Sequence, residues 1–193
     1  MLVVGLGNRD ITPDALGPNA INYILATRHI SPELAHEIGL DGLTPVSAVA
    51  TGVLGQTGLE TAEIVGAICK QTRPTAVIVI DALACKSLDR LGKTIQMSNT
   101  GICPGSGVQN ARKELNRKTL NTTVVSIGVP MVVDLRTIVS EITGSSPELQ
   151  SNMMVTPREI DALIEHSSKT IAYSINKCLQ PTLDIETIAA LVD

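Results

Sequence analysis

The sequence contains no Phe and no Trp, and only two of its 193 residues are Tyr. The hydrophobic core must therefore be built from aliphatic side chains. The same shortage removes the aromatic surfaces on which single-stranded nucleic-acid binders stack bases. Lys and Arg number 15 against 19 Asp and Glu, which gives a net charge of −4. This sign does not suit a protein that binds a phosphate backbone, so we expect no direct nucleic-acid partner.

Long apolar runs are also missing from the chain. No stretch approaches the roughly 18 residues that a membrane span needs. The first residues, Met-Leu-Val-Val-Gly, lack the basic region of a signal peptide. The four cysteines form no C-x-x-C pair and have no His at zinc-site spacing, so we interpret them as reduced thiols. They are Cys69, Cys85, Cys103 and Cys178. Together these features predict a cytoplasmic protein without membrane contact.

The residues that are present predict one α/β domain spanning 1–193. Hydrophobic residues make up 44% of the chain and charged residues 18%, enough apolar surface for a sizeable core. Short β-branched runs alternate with helical patterns, which is typical of a mostly parallel sheet with helices on both faces. The predicted strands are 2–4, 46–49, 75–80, 94–97 and 124–127, and the predicted helices are 16–28, 58–72, 133–142 and a last long helix capped by Thr156. The run 75–80 is the strongest strand and suits the centre of the sheet.

Three aspartates fall at or just past the predicted strand ends, where parallel sheets bind ligands. Asp14 follows the first strand, Asp81 the central strand, and Asp134 the turn at Gly128. Asp14 and Asp81 would face each other across one cleft if their strands are neighbours. Such a pair can split its pKa values, so that one carboxylate activates water while the other donates a proton. A structural role is the alternative for each: Asp14 and Asp134 as helix N-caps, and Asp81 as the cap of a turn or helix.

Two glycine motifs resemble functional signatures and fail on inspection. Gly5-Leu6-Gly7 begins like a dinucleotide fingerprint, but Asp10 occupies the position of the third glycine. The segment around Ser106 is similar to a nucleophile elbow, but Pro104 stands where the first glycine is required. A flexible turn is the simpler interpretation there, within a loop predicted over 99–110.

The remaining nucleophilic and metal-ligating side chains are scattered. His29, His36 and His166 lack metal-ligand spacing, and Cys103 has no neighbouring His or base to activate it. We therefore expect no metal and no cofactor. The basic residues of the segment 112–118 are most simply a solvated helix face, namely Arg112, Lys113, Arg117 and Lys118.

A series of motifs, taken in order, resembles the germination protease family of spore-forming Firmicutes. The series includes Val4-Gly5-Leu6-Gly7-Asn8, Thr12-Pro13-Asp14-Ala15-Leu16-Gly17-Pro18, Ile80-Asp81-Ala82-Leu83-Ala84, Pro104-Gly105-Ser106-Gly107-Val108, Ile127-Gly128-Val129-Pro130 and Val155-Thr156-Pro157-Arg158-Glu159-Ile160-Asp161. The resemblance covers essentially the whole chain, so it is far more specific than any single motif.

The resemblance implies an endopeptidase that degrades small acid-soluble spore proteins during germination. It further implies a zymogen made in the forespore, a place in the spore core, and a homotetramer. The implied fold is the three-layer, phosphorylase-like α/β arrangement of the hydrogenase maturation proteases. The two essential aspartates of this atypical aspartic-type family correspond to Asp14 and Asp81. Gly5, Gly7, Asn8 and Asp134 are then expected around the cleft.

Two departures from the family pattern leave alternatives open. The family carries an upstream segment, including a propeptide, that we expect to be absent here, so an inactive shortened homologue is one alternative. The family often has His where this chain has Cys103, which weakens any metal site that uses this position and leaves the carboxylate pair as the simpler mechanism. The other alternative is a metal-dependent or maturation-type peptidase that uses the same carboxylates to hold an ion.

Overall fold

A computed structural model describes residues 1–106, 112–145 and 151–193. The strands in these ranges are β1 (Leu2–Gly5), β2 (Ser47–Ala50), β3 (Ala76–Cys85), β4 (Gln96–Ser98), β5 (Thr123–Asp134) and β6 (Met154–Val155). The helices are α1 (Leu16–Asn22), α2 (Pro32–Glu37), α3 (Leu54–Thr57), α4 (Thr61–Thr72), α5 (Arg117–Leu120), α6 (Leu135–Thr143), α7 (Ile160–Leu179) and α8 (Ile185–Val192). Part of the predicted loop 99–110 lies outside the described residues. Within the described part of the chain, no helix has both the length and the apolar content to cross a bilayer.

The strands form one sheet in the order β2-β1-β3-β5-β4, with β6 pairing to β5. The pairings β1–β2, β1–β3 and β3–β5 are parallel, whereas β4 and β6 run antiparallel to β5. This arrangement confirms the predicted mostly parallel sheet. It also places β3 next to β1, which is the condition for Asp14 and Asp81 to share a cleft.

Aliphatic side chains on the two faces of the sheet form two separate cores. Ile80 of β3 packs in one core with residues of α1 and α7, and Val79 packs in the other with residues of α4. Successive residues of a strand point to opposite faces, so a continuous β-branched run fills both cores. The predicted helices on both faces are thereby confirmed.

Helix α1 ends at Asn22, six residues before the predicted end at residue 28. The Asn176 side chain of α7 donates to the Tyr23 carbonyl at 2.7 Å and accepts from the Leu25 N–H at 2.9 Å. The N–H groups of Thr27 and Arg28 then donate to the Val46 carbonyl. These contacts come from distant parts of the chain, so helical periodicity could not show them.

Two strands are longer than predicted, and this changes the position of Asp81. Strands β3 and β5 pair from Ala76 opposite Thr123 to Cys85 opposite Val133. The predicted strand ends at residues 80 and 127 are therefore wrong. Asp81 lies inside β3, one residue beyond the last residue that pairs with β1.

Helix starts also differ from the sequence expectations. Glu60 and Glu63 form a capping box that starts α4 at Thr61 rather than at residue 58. Helix α7 starts at Ile160 and its N-cap is Glu159, so the predicted Thr156 cap is wrong. The Thr156 hydroxyl instead donates to the Pro157 carbonyl at 3.1 Å.

Candidate active site

A cleft of about 740 Å³ opens beyond the carboxyl ends of β1 and β2. Its walls are formed by the turn that follows β1, the segment 52–55, the start of α4 and the loop 102–106. Residues Asp81 to Ala84 of β3 lie between these walls, and Asp14 faces the same space. The cleft therefore contains both carboxyl groups that the sequence nominates from their positions after the first and central strands.

Asp81 lies in β3 opposite Gly128 of β5, and it is only 7% exposed. Removal of the carboxylate from water and, to a smaller extent, the negative charge of Asp14 together raise its pKa to about 8. The N–H of Ala82 offsets a part of this rise in pKa. Asp81 therefore keeps its proton near neutral pH, and it caps neither a turn nor a helix.

Asp14 is positioned by a short 3₁₀ turn, Thr12–Asp14, that precedes α1. Its Oδ2 atom accepts the backbone N–H of Asn8 at 2.8 Å. Burial raises the pKa of Asp14, while the Asn8 N–H counteracts that rise. The N-cap position of α1 belongs to Ala15, so the alternative role of Asp14 as a cap of this helix is wrong.

The different surroundings of the two carboxyl groups favour a state in which Asp81 is protonated and Asp14 is ionised. Asp81 is the more deeply buried group, whereas Asp14 is half-buried and accepts an N–H that stabilises its ionised form. The charge of an ionised Asp14 opposes ionisation of Asp81. The arrangement can thus present a base and an acid to one molecule in the cleft.

The turn after β1 depends on Gly7, whose φ of +112° is rarely adopted by other residues. A Cβ atom placed on Gly7 would lie 2.0 Å from the Asp14 carbonyl oxygen. The absence of a side chain lets the chain fold closely around Asp14. Gly5 has a different role: a Cβ there would lie 2.3 Å from the Gly17 carbonyl oxygen, so it permits close packing of β1 against α1.

Asn8 and Gln56 hold this turn from the side of α3. The Gln56 Nε2 atom donates to Asn8 Oδ1 at 2.9 Å and to Asp10 Oδ2 at 3.0 Å. Asn8 Oδ1 also accepts the Asp10 N–H. Sequence reasoning missed Gln56, because no local pattern links it to a residue 48 positions away.

Asp134 and Gly5 lie outside the lining of the cleft, unlike Gly7 and Asn8. The Asp134 side chain caps α6 by accepting the Arg136 N–H at 2.7 Å. It also pairs with the Arg136 guanidinium, which lowers the pKa of Asp134. Its position fits the structural alternative raised from the sequence.

Arg112 lies on an irregular segment at the cleft rather than on the helix face predicted from the sequence. Its guanidinium lies 3.7 Å from Glu60 at the start of α4. Cys103 also lines the cleft, and its Sγ donates to the Arg112 carbonyl at 3.1 Å. The sequence offers no signal for the Glu60–Arg112 pair, since only the fold brings these segments together.

The three histidines, His29, His36 and His166, are exposed and lie away from the cleft lining. All four cysteines are free thiols. In residues 1–106, 112–145 and 151–193 no group of three or more His, Cys, Asp or Glu side chains is placed to hold a metal ion.

The chain is similar in sequence to known proteins along most of its length. The sequence profile of the germination protease family matches residues 1–145. The chain is 42% identical to the germination protease of Clostridium tetani, across 97% of this chain and 68% of that protein. It is 40% identical to the germination protease of Clostridium acetobutylicum, across 100% of this chain and 69% of that protein.

A solved structure is similar in fold. It is a [NiFe] hydrogenase maturation protease from Thermococcus kodakarensis, with a TM-score of 0.51 and 17% identity across 92% of this chain and 90% of that one. At this identity the likeness shows the fold alone, as expected from the sequence. With the family profile and the two relatives, the conclusion is that this chain belongs to the germination protease family and is a peptidase.

Proposed function

We propose that this chain is an aspartic-type endopeptidase in which Asp14 and Asp81 share one proton to activate water against a peptide carbonyl. The observation that carries this proposal is the pair itself. Two electrostatically coupled carboxyl groups, one of them with its pKa raised to about 8, line one cleft in a member of a peptidase family. Strongly shifted pKa values in a cleft are typical of catalytic acids and bases.

In the first step, the ionised Asp14 accepts a proton from a water molecule while the water oxygen bonds to the carbonyl carbon. Asp81 gives its proton to the carbonyl oxygen, so the negative charge that develops there is neutralised. In the second step, the proton on Asp14 passes to the amide nitrogen and the C–N bond breaks. The hydroxyl proton of the intermediate returns to Asp81, which restores the original distribution.

Small acid-soluble spore proteins are the substrate class that we propose, on the basis of family membership. The same basis supports a zymogen precursor, a homotetramer and action in the spore core, with residues 1–193 forming one catalytic domain. The substrate proposal is tested by incubating the purified chain with a small acid-soluble spore protein and mapping the products by mass spectrometry. Cleavage at a few discrete sites is expected, whereas an unrelated DNA-binding protein of similar size should remain intact. An intact spore protein after incubation with the folded chain would contradict the assignment.

The pH dependence of kcat/KM is expected to be bell-shaped. Below the raised pKa of Asp14 the base is protonated, and above about pH 8 Asp81 has lost the proton that it must donate. The falling alkaline limb should therefore lie near pH 8. The exposed Asp89 offers a matched control, because Asp89→Asn should leave both limbs in place. A kcat/KM that keeps rising well beyond the pKa of Asp81 would mean that ionised Asp81 is the active form.

Substitution of Gly7 by Ala is expected to lower kcat/KM by about 100-fold, because displacement of a catalytic group by about 1 Å has this cost. The new Cβ must move the backbone around Asp14, whose carbonyl oxygen would otherwise be 2.0 Å away. Gly66→Ala is the control, since a Cβ at Gly66 in α4 meets nothing within 4 Å. Steady-state kinetics and thermal unfolding of both variants provide the measurement. Wild-type kinetics in Gly7→Ala would show that the turn does not position Asp14.

A further inference from the structure

Strand β3 continues past the end of its neighbour β1. The pairing of β1 with β3 ends at Gly5 opposite Ile80, whereas β3 itself runs on to Cys85. The Leu6 N–H makes one more bond, to the Ile80 carbonyl at 2.8 Å, before the chain turns away at Gly7. Beyond Ile80, β3 therefore has a partner strand on the β5 side and none on the β1 side among the residues that the structure describes.

The backbone geometry of β3 determines which of its N–H and C=O groups face the side where β1 has ended. In a parallel ladder, alternate residues direct their N–H and C=O groups to the same neighbouring strand. Because the Ile80 carbonyl points to β1, the Ala82 carbonyl points in the same direction, into the space that β1 no longer fills. The Ala82 N–H interacts with the Asp81 carboxyl, so the carbonyl is the group left to bind a donor.

This free edge lies inside the cleft and next to the proposed catalytic pair. Ala82, Leu83 and Ala84 are partly exposed there and follow Asp81 directly in β3. Exposed strand edges normally invite pairing with another chain, and proteins protect them for this reason. Here the walls of the cleft restrict access to the edge without covering it.

We propose that the substrate polypeptide binds as an added strand along the β1-facing edge of β3, with a substrate N–H donating to the Ala82 carbonyl. This inference rests on the proposed endopeptidase function and specifies how the same cleft holds its substrate. Strand addition uses main-chain hydrogen bonds, which every peptide can supply, and leaves side-chain contacts to select the sequence. It also extends the substrate backbone past Asp81, so that a peptide carbonyl is presented to the two carboxyl groups.

The test uses a fluorescently labelled peptide of about twelve residues from a small acid-soluble spore protein, with Asp14→Asn as a variant that binds without cutting. A series of peptides carries one backbone N-methyl group each, and their Kd values are measured by fluorescence anisotropy. N-methylation removes the N–H donor and blocks strand pairing. N-methylation at every second peptide residue bound near Asp81 should therefore raise Kd at least tenfold. N-methylation at the residues between them should change Kd less than twofold. Absence of binding by the unmodified peptide, or a series without this alternation, would overturn the proposal.

A spectroscopic measurement checks the contact itself. The carbonyl carbon resonance of Ala82 is expected to move downfield when the unmodified peptide binds, because its oxygen then accepts a hydrogen bond. The carbonyl of Ala76, at the start of the same strand and away from the cleft, is the control and should not move. An unchanged Ala82 resonance in the peptide complex would contradict strand addition.

Both measurements are made on binding, so they separate this inference from the catalytic proposal. Alternation in Kd together with undiminished cleavage by the aspartate variants would support the binding mode and reject the catalytic pair. Loss of cleavage in those variants, with Kd values that do not alternate along the N-methyl series, would support the catalytic pair and reject the binding mode.

Discussion

Replacement of Asp14 or Asp81 by Asn is expected to reduce kcat by at least about 10³-fold, in line with the loss of a general acid or base. The amide introduced by Asp14→Asn keeps an oxygen that can accept the Asn8 N–H, so the turn remains in place, but it cannot take a proton from water. The amide introduced by Asp81→Asn has nearly the same shape as the protonated carboxyl group, but it is a far weaker acid. Each substitution should therefore remove chemistry while the fold is kept.

Three observations make this test decisive. Circular dichroism should show wild-type secondary structure for both variants, and Asp89→Asn should retain full activity as the matched change of an exposed carboxylate. The double variant should be about as inactive as each single one, because groups that act as a unit lose their effect together. Retained cleavage by both single variants would reject the assignment of these residues.

Asp81→Asn is also expected to gain stability relative to the wild type as the pH rises. The pKa of Asp81 is about 8 in the folded chain, against the ordinary value of 3.8 that applies when the chain is unfolded. Between these values the folded state binds the extra proton, so raising the pH favours unfolding, and the stabilising effect of that proton is lost by about pH 8. The variant has no such proton to lose, so its relative stability grows with pH and then levels off.

From pH 5 to pH 9 this relative stability should increase by on the order of 4 kcal/mol, or about 10 °C in Tm for a chain of this size. Thermal unfolding of the wild type and Asp81→Asn at both pH values gives the difference directly. All other titrating groups are common to both proteins and largely cancel. A stability difference that does not change between these two pH values would show that Asp81 ionises at an ordinary pH in the folded protein.

The fold class is predictable because its determinants are local. The β-branched residues 77–80 contribute to both cores, and the position of this run between helical patterns indicates a central parallel strand. The element ends are less predictable, because distant contacts set them. Asn176 contacts the end of α1 from 153 positions away, and pairing with β5 carries β3 past Asp81. Neither contact leaves a local pattern in the sequence.

In the candidate site, too, some features follow from the local sequence and others depend on contacts between distant segments. The positions of Asp14 and Asp81 after the first and central strands nominate them, and the order β1-β3 places both in one cleft. Their protonation could not be predicted, since it depends on burial and on the Asn8 N–H. The contacts of Gln56 and the Glu60–Arg112 pair are equally hidden, because they join segments that only the folded chain brings together.

The central claim is that these two carboxyl groups add water directly to a peptide carbonyl. Its most direct test is a single turnover of a small acid-soluble spore protein in H₂¹⁸O with a chelator present, read by mass spectrometry. We expect one ¹⁸O atom in the new carboxyl terminus, no effect of the chelator, and no product with Asp14→Asn or Asp81→Asn. Product that lacks ¹⁸O after one turnover, or cleavage that stops with the chelator and returns with a divalent ion, would contradict the account.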